Sequence, residues 1–365
     1  MKRFTPKILI KYLIKEFSLS LIIFIVIFSS LIVLFTFVEE VVFFKAKEIN
    51  NNFFLKVFIL TLIKSPTLIL NFMPFIFLFS GILFFVKFMK NSEITPLRLS
   101  GFSNEFIALV PGIFSFFLGV IFICIFSPVT STLSKYYETV KNRYSDNDNL
   151  LIMSDTGIWI KESSKNIKYI IRADKISDQN FSTLKNLSIY VFKNNLFSER
   201  IDAEQVKIDG YKWKIKNGTN ITENKSEKLK NFVFNSDVDI NKLKNYFNNS
   251  DVFSIWNINN ELKEIRKRGY YGQELVIKLN KYLSLPFMLF SMIILASLFT
   301  IKMRVALNNS MYIFLAIIVG ILIYFLSDLS IALGKNGKIP LVLSVWMPVI
   351  LIITLTFYSL LRNDD

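Results

Sequence analysis

The stretch from residue 88 to residue 105, FMKNSEITPLRLSGFSNE, gathers charged side chains between two long apolar runs. Its charged residues are Lys90, Glu93, Arg98 and Glu105. A proline at position 96 prevents one uninterrupted helix, because proline lacks the amide hydrogen and crowds the preceding turn. Two interpretations remain open for this stretch. It is either a solvated loop between two helices or a short coupling helix on which a cytosolic partner acts.

Two further charged residues lie at the edges of apolar runs. We expect the second helix to begin near Phe54, so that Lys64 lies one to two turns inside the outer face of a membrane, and Asp328 lies near the outer end of the fifth run. Lys64 either extends its ammonium group to the lipid headgroups or faces a cavity that meets an anionic substrate. Asp328 is either a satisfied helix-end residue or part of a substrate gate.

The complete sequence contains no histidine. Ser-His-Asp and Cys-His catalysis, histidine-ligated zinc and a histidine pH switch are therefore excluded. No pair of glycines has the spacing of a Walker A loop, which cradles nucleotide phosphates. The sequence thus predicts a chain with no catalytic site, metal or cofactor of its own. Any energy from ATP must come through another subunit.

The composition is that of a membrane protein, because 52% of the residues are hydrophobic and the mean hydropathy is +0.44. Six runs without charge are long enough to cross a hydrocarbon core of about 30 Å as helices. They are residues 17–38, 65–86, 106–134, 282–301, 305–327 and 339–361. We therefore predict an α-helical polytopic membrane protein with six transmembrane helices.

The net charge of +15 does not indicate nucleic-acid binding, because the basic residues are spread along loops rather than gathered in one stripe. The single cysteine, Cys124, lies within the third apolar run, so no disulfide can form within the chain.

The first apolar run follows a basic stretch, residues 4–16, in which every fourth residue from Lys7 to Lys15 is a lysine. This spacing puts the lysines on one helical face and predicts an interfacial lead-in helix. The run that follows is too long for a signal peptide, so we predict an uncleaved span that ends at Glu39 and Glu40.

Basic residues cluster before the first span, after the second and after the fourth, so the positive-inside rule places all three clusters in the cytoplasm. They are Lys2, Arg3, Lys7, Lys11 and Lys15, then Lys87, Lys90 and Arg98, then Lys302 and Arg304. Both termini are then cytoplasmic, and residues 135–281 lie on the opposite side of the membrane.

From about residue 150 the sequence changes to short stretches in which apolar and polar residues alternate, each bounded by Asn, Asp, Gly or Ser. This texture predicts an antiparallel sandwich or jelly-roll module outside the membrane. The predicted domains are 1–134 with three spans, 135–281 with the β module, and 282–365 with three more spans. Three spans thus precede the β module and three follow it, a three-plus-three layout.

Several motifs, in this order, resemble the lipopolysaccharide-export permeases of the LptF/LptG (YjgP/YjgQ) family. The similar features are ILIKYLIKEF before the first span, two prolines in the second span, NSEITPLRLSGFS after it, LSIYVF and ERIDAEQVKIDGYKWKIKNG in the β module, and LGKNGKIPLVLSVWMPVIL at the last span. Together they cover nearly the whole chain.

The resemblance implies one permease subunit of an ATP-driven lipid exporter. Such a subunit pairs with a sister permease and a cytosolic ATPase dimer, and its partner supplies ATP and magnesium. The lipid passes from the inner membrane to a periplasmic bridge protein. By the same resemblance, Glu93 engages the ATPase, and Arg98 and Gly101 complete the coupling helix.

The resemblance also implies lateral gates formed by the first and fifth spans, which makes Glu39, Glu40 and Asp328 candidates at their outer ends. Family members commonly carry basic residues near the outer end of the first span, where this chain has two glutamates. The expected substrate is therefore lipopolysaccharide or a related glycolipid.

Two other functions compete with this one. An ion-coupled secondary transporter of a lipid or amphiphile would use Lys64 and Asp328 as its coupling charges. A structural anchor would hold the β module outside the membrane, but one span would be enough for that purpose.

Overall fold

A computed structural model describes most of the chain. The described residues are 7–45, 53–143, 150–154, 157–164, 167–176, 182–194, 196–222, 225–236, 250–267, 272–301 and 309–361. Two compact units divide the molecule. One unit comprises Met1–Glu138, Asp251–Ile255 and Val276–Asp365, and the other comprises Thr139–Ser250 and Trp256–Leu275.

Within the described ranges, six helices are long and apolar enough to cross a membrane, which confirms the predicted six spans. The first three are α1 (Lys7–Lys45), α2 (Phe53–Lys90) and a continuous helix made of α4 (Asn104–Ile121), a π-helical turn (Phe122–Phe126) and α5 (Ser127–Arg143). The others are α7 (Gln273–Ile301), α8 (Asn309–Lys335) and α9 (Leu341–Leu361). Two shorter helices are α3 (Ile94–Leu99) and α6 (Ile255–Lys267).

The lysine-bearing stretch is helical as predicted from Lys7 onward, and it continues without a break into the first span as α1. The helix starts ten residues before the charge-free run at 17, because nothing in the lysine-bearing stretch interrupts the backbone hydrogen bonds. Lys11 and Lys15 are exposed as the spacing predicts, whereas Leu13 and Phe17 are fully buried in the core. The basic stretch is therefore part of the first span's packing.

The core of the membrane unit lies along α2 and α7. About half of the most apolar window of α2 and two thirds of that of α7 are buried, against 17% for α1. Ile76, Phe77 and Phe84 of α2 and Leu289 and Ile293 of α7 are completely buried. The helices that surround this pair keep much of their apolar surface exposed, as expected where lipid or another protein covers them.

Glycines let helices approach α7 closely. A Cβ atom at Gly119 of α4 would lie 2.8 Å from the Cα atom of Pro286, and one at Gly81 of α2 would lie 2.9 Å from the Cβ atom of Ala296. Small residues at such contacts are the usual means of packing helices in a membrane, where no hydrophobic force drives them together.

The second unit contains an antiparallel sheet. Its seven described strands are β1 (Leu150–Ser154), β2 (Gly157–Ser164), β3 (Ile167–Ile176), β4 (Thr183–Lys193), β5 (Leu196–Asp209), β6 (Lys212–Thr222) and β7 (Lys225–Asn235). Each strand pairs with the next one in the chain, as in a meander, with registers such as Ile189 opposite Ile201 and Ile208 opposite Trp213. The antiparallel β module is confirmed, whereas its jelly-roll form stays a prediction.

One face of this sheet is apolar. Leu187, Ile189 and Val191 alternate along β4 and are buried, and they continue into Val206 on β5 and Trp213 on β6. Strand residues of alternating polarity bury one face because successive side chains point to opposite sides.

The valine substitution Gly119→Val should loosen the contact between α4 and α7. Because the obstructing atom belongs to the backbone of Pro286, it cannot rotate away, and we expect a loss of about 1–3 kcal/mol in the free energy of unfolding. Thermal unfolding in detergent measures the loss. Ala332→Val places the same side chain at an exposed position of α8 and serves as the control; equal effects of both changes would contradict close packing at Gly119.

Candidate functional site

The charged stretch after α2 is ordered by two turns of the same type. Ser92 adopts a φ of 56°, its amide donates to the Met89 carbonyl at 3.1 Å, and the Glu93 amide donates to the Phe88 carbonyl at 3.1 Å. This pair of bonds is the Schellman motif, which ends a helix on one residue of left-handed conformation. Ser92 therefore ends α2.

The second turn ends α3 in the same way. Gly101 has a φ of 86°, its amide donates to the Arg98 carbonyl at 2.9 Å, and the Phe102 amide donates to the Leu97 carbonyl at 3.1 Å. A Cβ atom at Gly101 would meet nothing within 4 Å, so the positive φ, not space, favours glycine here. Ser103 then caps α4 by accepting from the Phe106 amide.

Helix α3 is only six residues long and includes Pro96 in its first turn. Amides in the first turn of a helix have no intrahelical partner, so proline costs no hydrogen bond at that position. The proline thus fits the start of α3 and prevents α2 from continuing through it. Ile94 is buried, whereas Leu99 is 85% exposed.

Glu93 stands at the start of α3 and is held by two donors. The Tyr12 hydroxyl of α1 donates to Oε2 at 2.9 Å, and the Asn91 side-chain amide donates to Oε1 at 3.0 Å. The Tyr12 ring also lies 5.9 Å from the ring of Phe88. Sequence reasoning missed Tyr12, because 81 residues separate it from Glu93 and no pattern in the sequence links them.

Arg98 stands at the other end of α3. Its Nε atom donates to the side-chain oxygen of Asn104 at 2.6 Å, which ties α3 to the start of α4. The three predicted coupling residues, Glu93, Arg98 and Gly101, therefore bracket one short helix.

A second group of charges joins α1, α2 and α5. The Lys64 ammonium group lies 2.9 Å from Oε2 of Glu39 and 3.4 Å from Oε1 of Glu40. The Tyr137 hydroxyl donates to Oε1 of Glu40 at 2.5 Å, and the Lys64 nitrogen lies 5.6 Å from the centre of the Tyr137 ring. We call Glu39, Glu40, Lys64 and Tyr137 the Lys64 cluster.

Burial explains why Glu40 needs both the ammonium group and the hydroxyl in the Lys64 cluster. Glu40 is fully buried, the Lys64 side chain is 21% exposed and the Glu39 side chain is 65% exposed. An ionised carboxylate away from water is stable only with charge partners and hydrogen bonds. The lysine ammonium and the tyrosine hydroxyl supply both, so the cluster fixes α1 and α5 to α2.

A neutral contact continues the Lys64 cluster along α2 and α5. The hydroxyls of Thr67 and Ser134 lie 3.0 Å apart, one turn from Lys64 and one turn from Tyr137. Thr67 is three positions after Lys64 on α2, and Ser134 is three positions before Tyr137 on α5. Both contacts therefore lie on the same faces of these two helices. The polar seam between α2 and α5 is thus at least one turn long.

Asp328 lies outside the Lys64 cluster. It is exposed on α8, one turn after Tyr324, and α8 continues to Lys335, so Asp328 is about two turns before the helix end. Asp328 is thus near the end of its helix but does not terminate it, and its role in a gate stays a prediction. Among the described residues, no group of three or more acidic residues and cysteines could hold a metal ion.

The family described as "Lipopolysaccharide export system permease LptF/LptG" matches residues 11–362, nearly the whole chain. The chain belongs to this family. Comparison with curated proteins gives no match. The family's members are permease components of an export system rather than catalysts, and with six candidate spans the chain is a multi-pass protein of the inner membrane.

Replacing the cation of the Lys64 cluster should destabilise the bundle. Lys64→Met keeps most of the length of the side chain but leaves the buried Glu40 carboxylate without its ammonium partner, and we expect a loss of about 3 kcal/mol in the free energy of unfolding. Thermal unfolding of the purified protein measures it.

The double variant Lys64→Met with Glu40→Gln should regain most of this loss, because the glutamine is uncharged. Lys56→Met, at an exposed position of the same helix, is the control. If Lys64→Met and Lys56→Met unfold at the same temperature, the cluster does not stabilise the bundle.

Proposed function

We propose that this chain is a permease subunit of an ATP-driven exporter that extracts lipopolysaccharide or a related glycolipid from the inner membrane and passes it to a periplasmic bridge protein. The observation that carries the proposal is the Glu93 carboxylate. It is held at the head of a short, turn-bounded helix in a chain whose sequence has no nucleotide-binding loop. Membership of the permease family supports the same function.

The motor in this proposal is a cytosolic ATPase dimer, which binds the ATP and magnesium. Its basic residue engages Glu93, while Arg98 and Gly101 shape the helix that the ATPase grips. Two Schellman turns hold α3 at a defined angle to α2 and α4, so a force applied to α3 reaches both spans. A solvated loop without such turns would absorb that force.

The lateral gates in this proposal are α1 and α8. Only 17% of the most apolar window of α1 and 28% of that of α8 are buried, so both helices present wide apolar faces to lipid or to a sister permease. Glu39, Glu40 and Lys64 act at one end of α1, and Asp328 acts on α8. Because two carboxylates offset Lys64, we assign the Lys64 cluster to holding the gate helix rather than to binding lipid phosphate.

The β unit lies in the periplasm in this proposal and forms the jelly roll that delivers the lipid. A single sheet can bury one face only if it curls on itself or is covered. Complete burial of Trp213 and Ile189 means that one face of the sheet is shielded from water, as a jelly roll requires. The domain limits of 135 and 281, the three-plus-three layout and the cytoplasmic termini are parts of the same proposal.

The partners are a sister permease, the ATPase dimer, the bridge protein and the lipid. In the ion-coupled alternative, Lys64 and Asp328 are the charges that couple transport to an ion gradient. The contacts of Lys64 with Glu39 and Glu40 count against it, because the lysine already has acidic partners on α1.

Reversing the charge at Glu93 should uncouple the exporter. In the complex reconstituted with its ATPase, Glu93→Lys should abolish lipid-stimulated ATP hydrolysis while the protein still inserts, because the lysine repels the basic residue of the motor. Glu105→Lys makes the same charge change in the same segment and should retain stimulation. Normal stimulation in Glu93→Lys would refute the coupling role.

Cysteine labelling tests the orientation. In a Cys124→Ala background, Ser226→Cys on the exposed strand β7 should react with an impermeant maleimide in cells whose outer membrane is permeabilised. Ser100→Cys, in the segment placed in the cytoplasm, should react only after lysis. The reverse pattern would mean that the topology is inverted.

A further inference from the structure

We propose that Tyr12 is a positioning residue that joins the coupling carboxylate Glu93 to helix α1, so that the ATPase moves α1 directly. This inference rests on the proposed function, because it takes Glu93 as the residue that the motor engages. The link from Tyr12 to Glu93 adds a second route by which the force of the ATPase reaches the membrane helices. Besides the backbone, which runs from α3 into α2 and α4, a side-chain bond leads from Glu93 to a helix far away in the sequence.

The geometry leaves room for the motor and for Tyr12 on the same carboxylate. Tyr12 donates to Oε2 and Asn91 donates to Oε1, one bond to each oxygen. An ionised carboxylate accepts about four hydrogen bonds. A guanidinium or ammonium group can therefore bind Glu93 without displacing the Tyr12 hydroxyl, and the link to α1 persists while the motor is engaged.

Packing around Tyr12 makes the link stiff. The Tyr12 ring lies 5.9 Å from Phe88, Phe88 lies 4.6 Å from Phe84, and Phe84 lies 5.9 Å from Phe17 of α1. Phe17, Phe84 and Phe88 are buried. Rings at these separations pack as edge-to-face or tilted pairs, so the start of α1 cannot slide freely along the end of α2.

An ion pair supports the same contact between the two helices. The Lys87 ammonium group lies 2.5 Å from the Glu16 carboxylate, one turn along α1 from Tyr12 and one turn before the end of α2. Lys87 is half exposed, so this pair alone contributes little to stability. Its position one turn from Tyr12 nevertheless keeps the hydroxyl within reach of Glu93.

Helix α1 carries the displacement to the gate. It is an unbroken helix of 39 residues, which corresponds to about 58 Å at 1.5 Å per residue. Tyr12 is near its beginning, and Glu39 and Glu40, which bind Lys64, are near its end. One rigid element thus connects the residue that the motor grips with the Lys64 cluster.

The variant Tyr12→Phe tests this inference, because it removes only the hydroxyl and keeps the ring on Phe88. In the complete complex reconstituted in proteoliposomes, the amount of lipid released per ATP hydrolysed should fall about tenfold, the effect expected for losing a hydrogen bond to a charged group. The ATPase should still co-purify, since Glu93 is intact. Tyr358→Phe, which removes the hydroxyl of an exposed tyrosine of α9, should change nothing.

A double-mutant cycle measures the link without the ATPase. Tyr12→Phe, Glu93→Ala and the double variant of the full-length chain are compared by thermal unfolding, and a linked pair gives effects that do not add. Additive effects, or an unchanged yield of lipid per ATP in Tyr12→Phe, would overturn the inference. If Glu93→Lys also behaves normally, the proposed function fails with it; if Glu93→Lys is uncoupled while Tyr12→Phe is normal, only the link fails.

Discussion

The pairing of α1 with α2 is the interaction on which the rest of the membrane unit depends. Charges hold the two helices together near both ends, by Glu16 with Lys87 at one and by Glu39 and Glu40 with Lys64 at the other. Between them, aromatic rings such as Phe17 and Phe84 fill the contact. Because little of α1 is buried elsewhere, this seam decides where the helix lies.

Much of this arrangement follows from the sequence. Charge-free runs of sufficient length predict six spans, alternation after residue 150 predicts the antiparallel strands, and Pro96 predicts the break after α2. These features are local, because each depends on residues that are neighbours in the chain. Helix ends are less predictable. The helices α1, α2 and α7 run beyond their apolar runs, since a helix ends where its backbone bonds find other partners rather than where charges begin.

The contacts that build the candidate sites could not be predicted. The sequence shows that Lys64 is a charge at the edge of an apolar run and therefore needs a partner. Nothing in the sequence pairs it with Glu40 or places Tyr137 beside them. Tyr12 gave no signal, because an aromatic residue in a basic, apolar stretch is ordinary. Such partners are fixed by the packing of helices that are distant in the chain, and only a three-dimensional arrangement reveals them.

The two turns around α3 differ in the residue that takes the left-handed conformation, and so in what each turn needs to persist. Ser92 adopts a left-handed conformation that costs a residue with a Cβ atom about 1 kcal/mol, so it stays there only while its surroundings enforce it. Gly101 adopts the same region at no such cost. Loss of packing around Ser92 would therefore release strain and weaken the turn after α2, whereas the turn before α4 needs no such support.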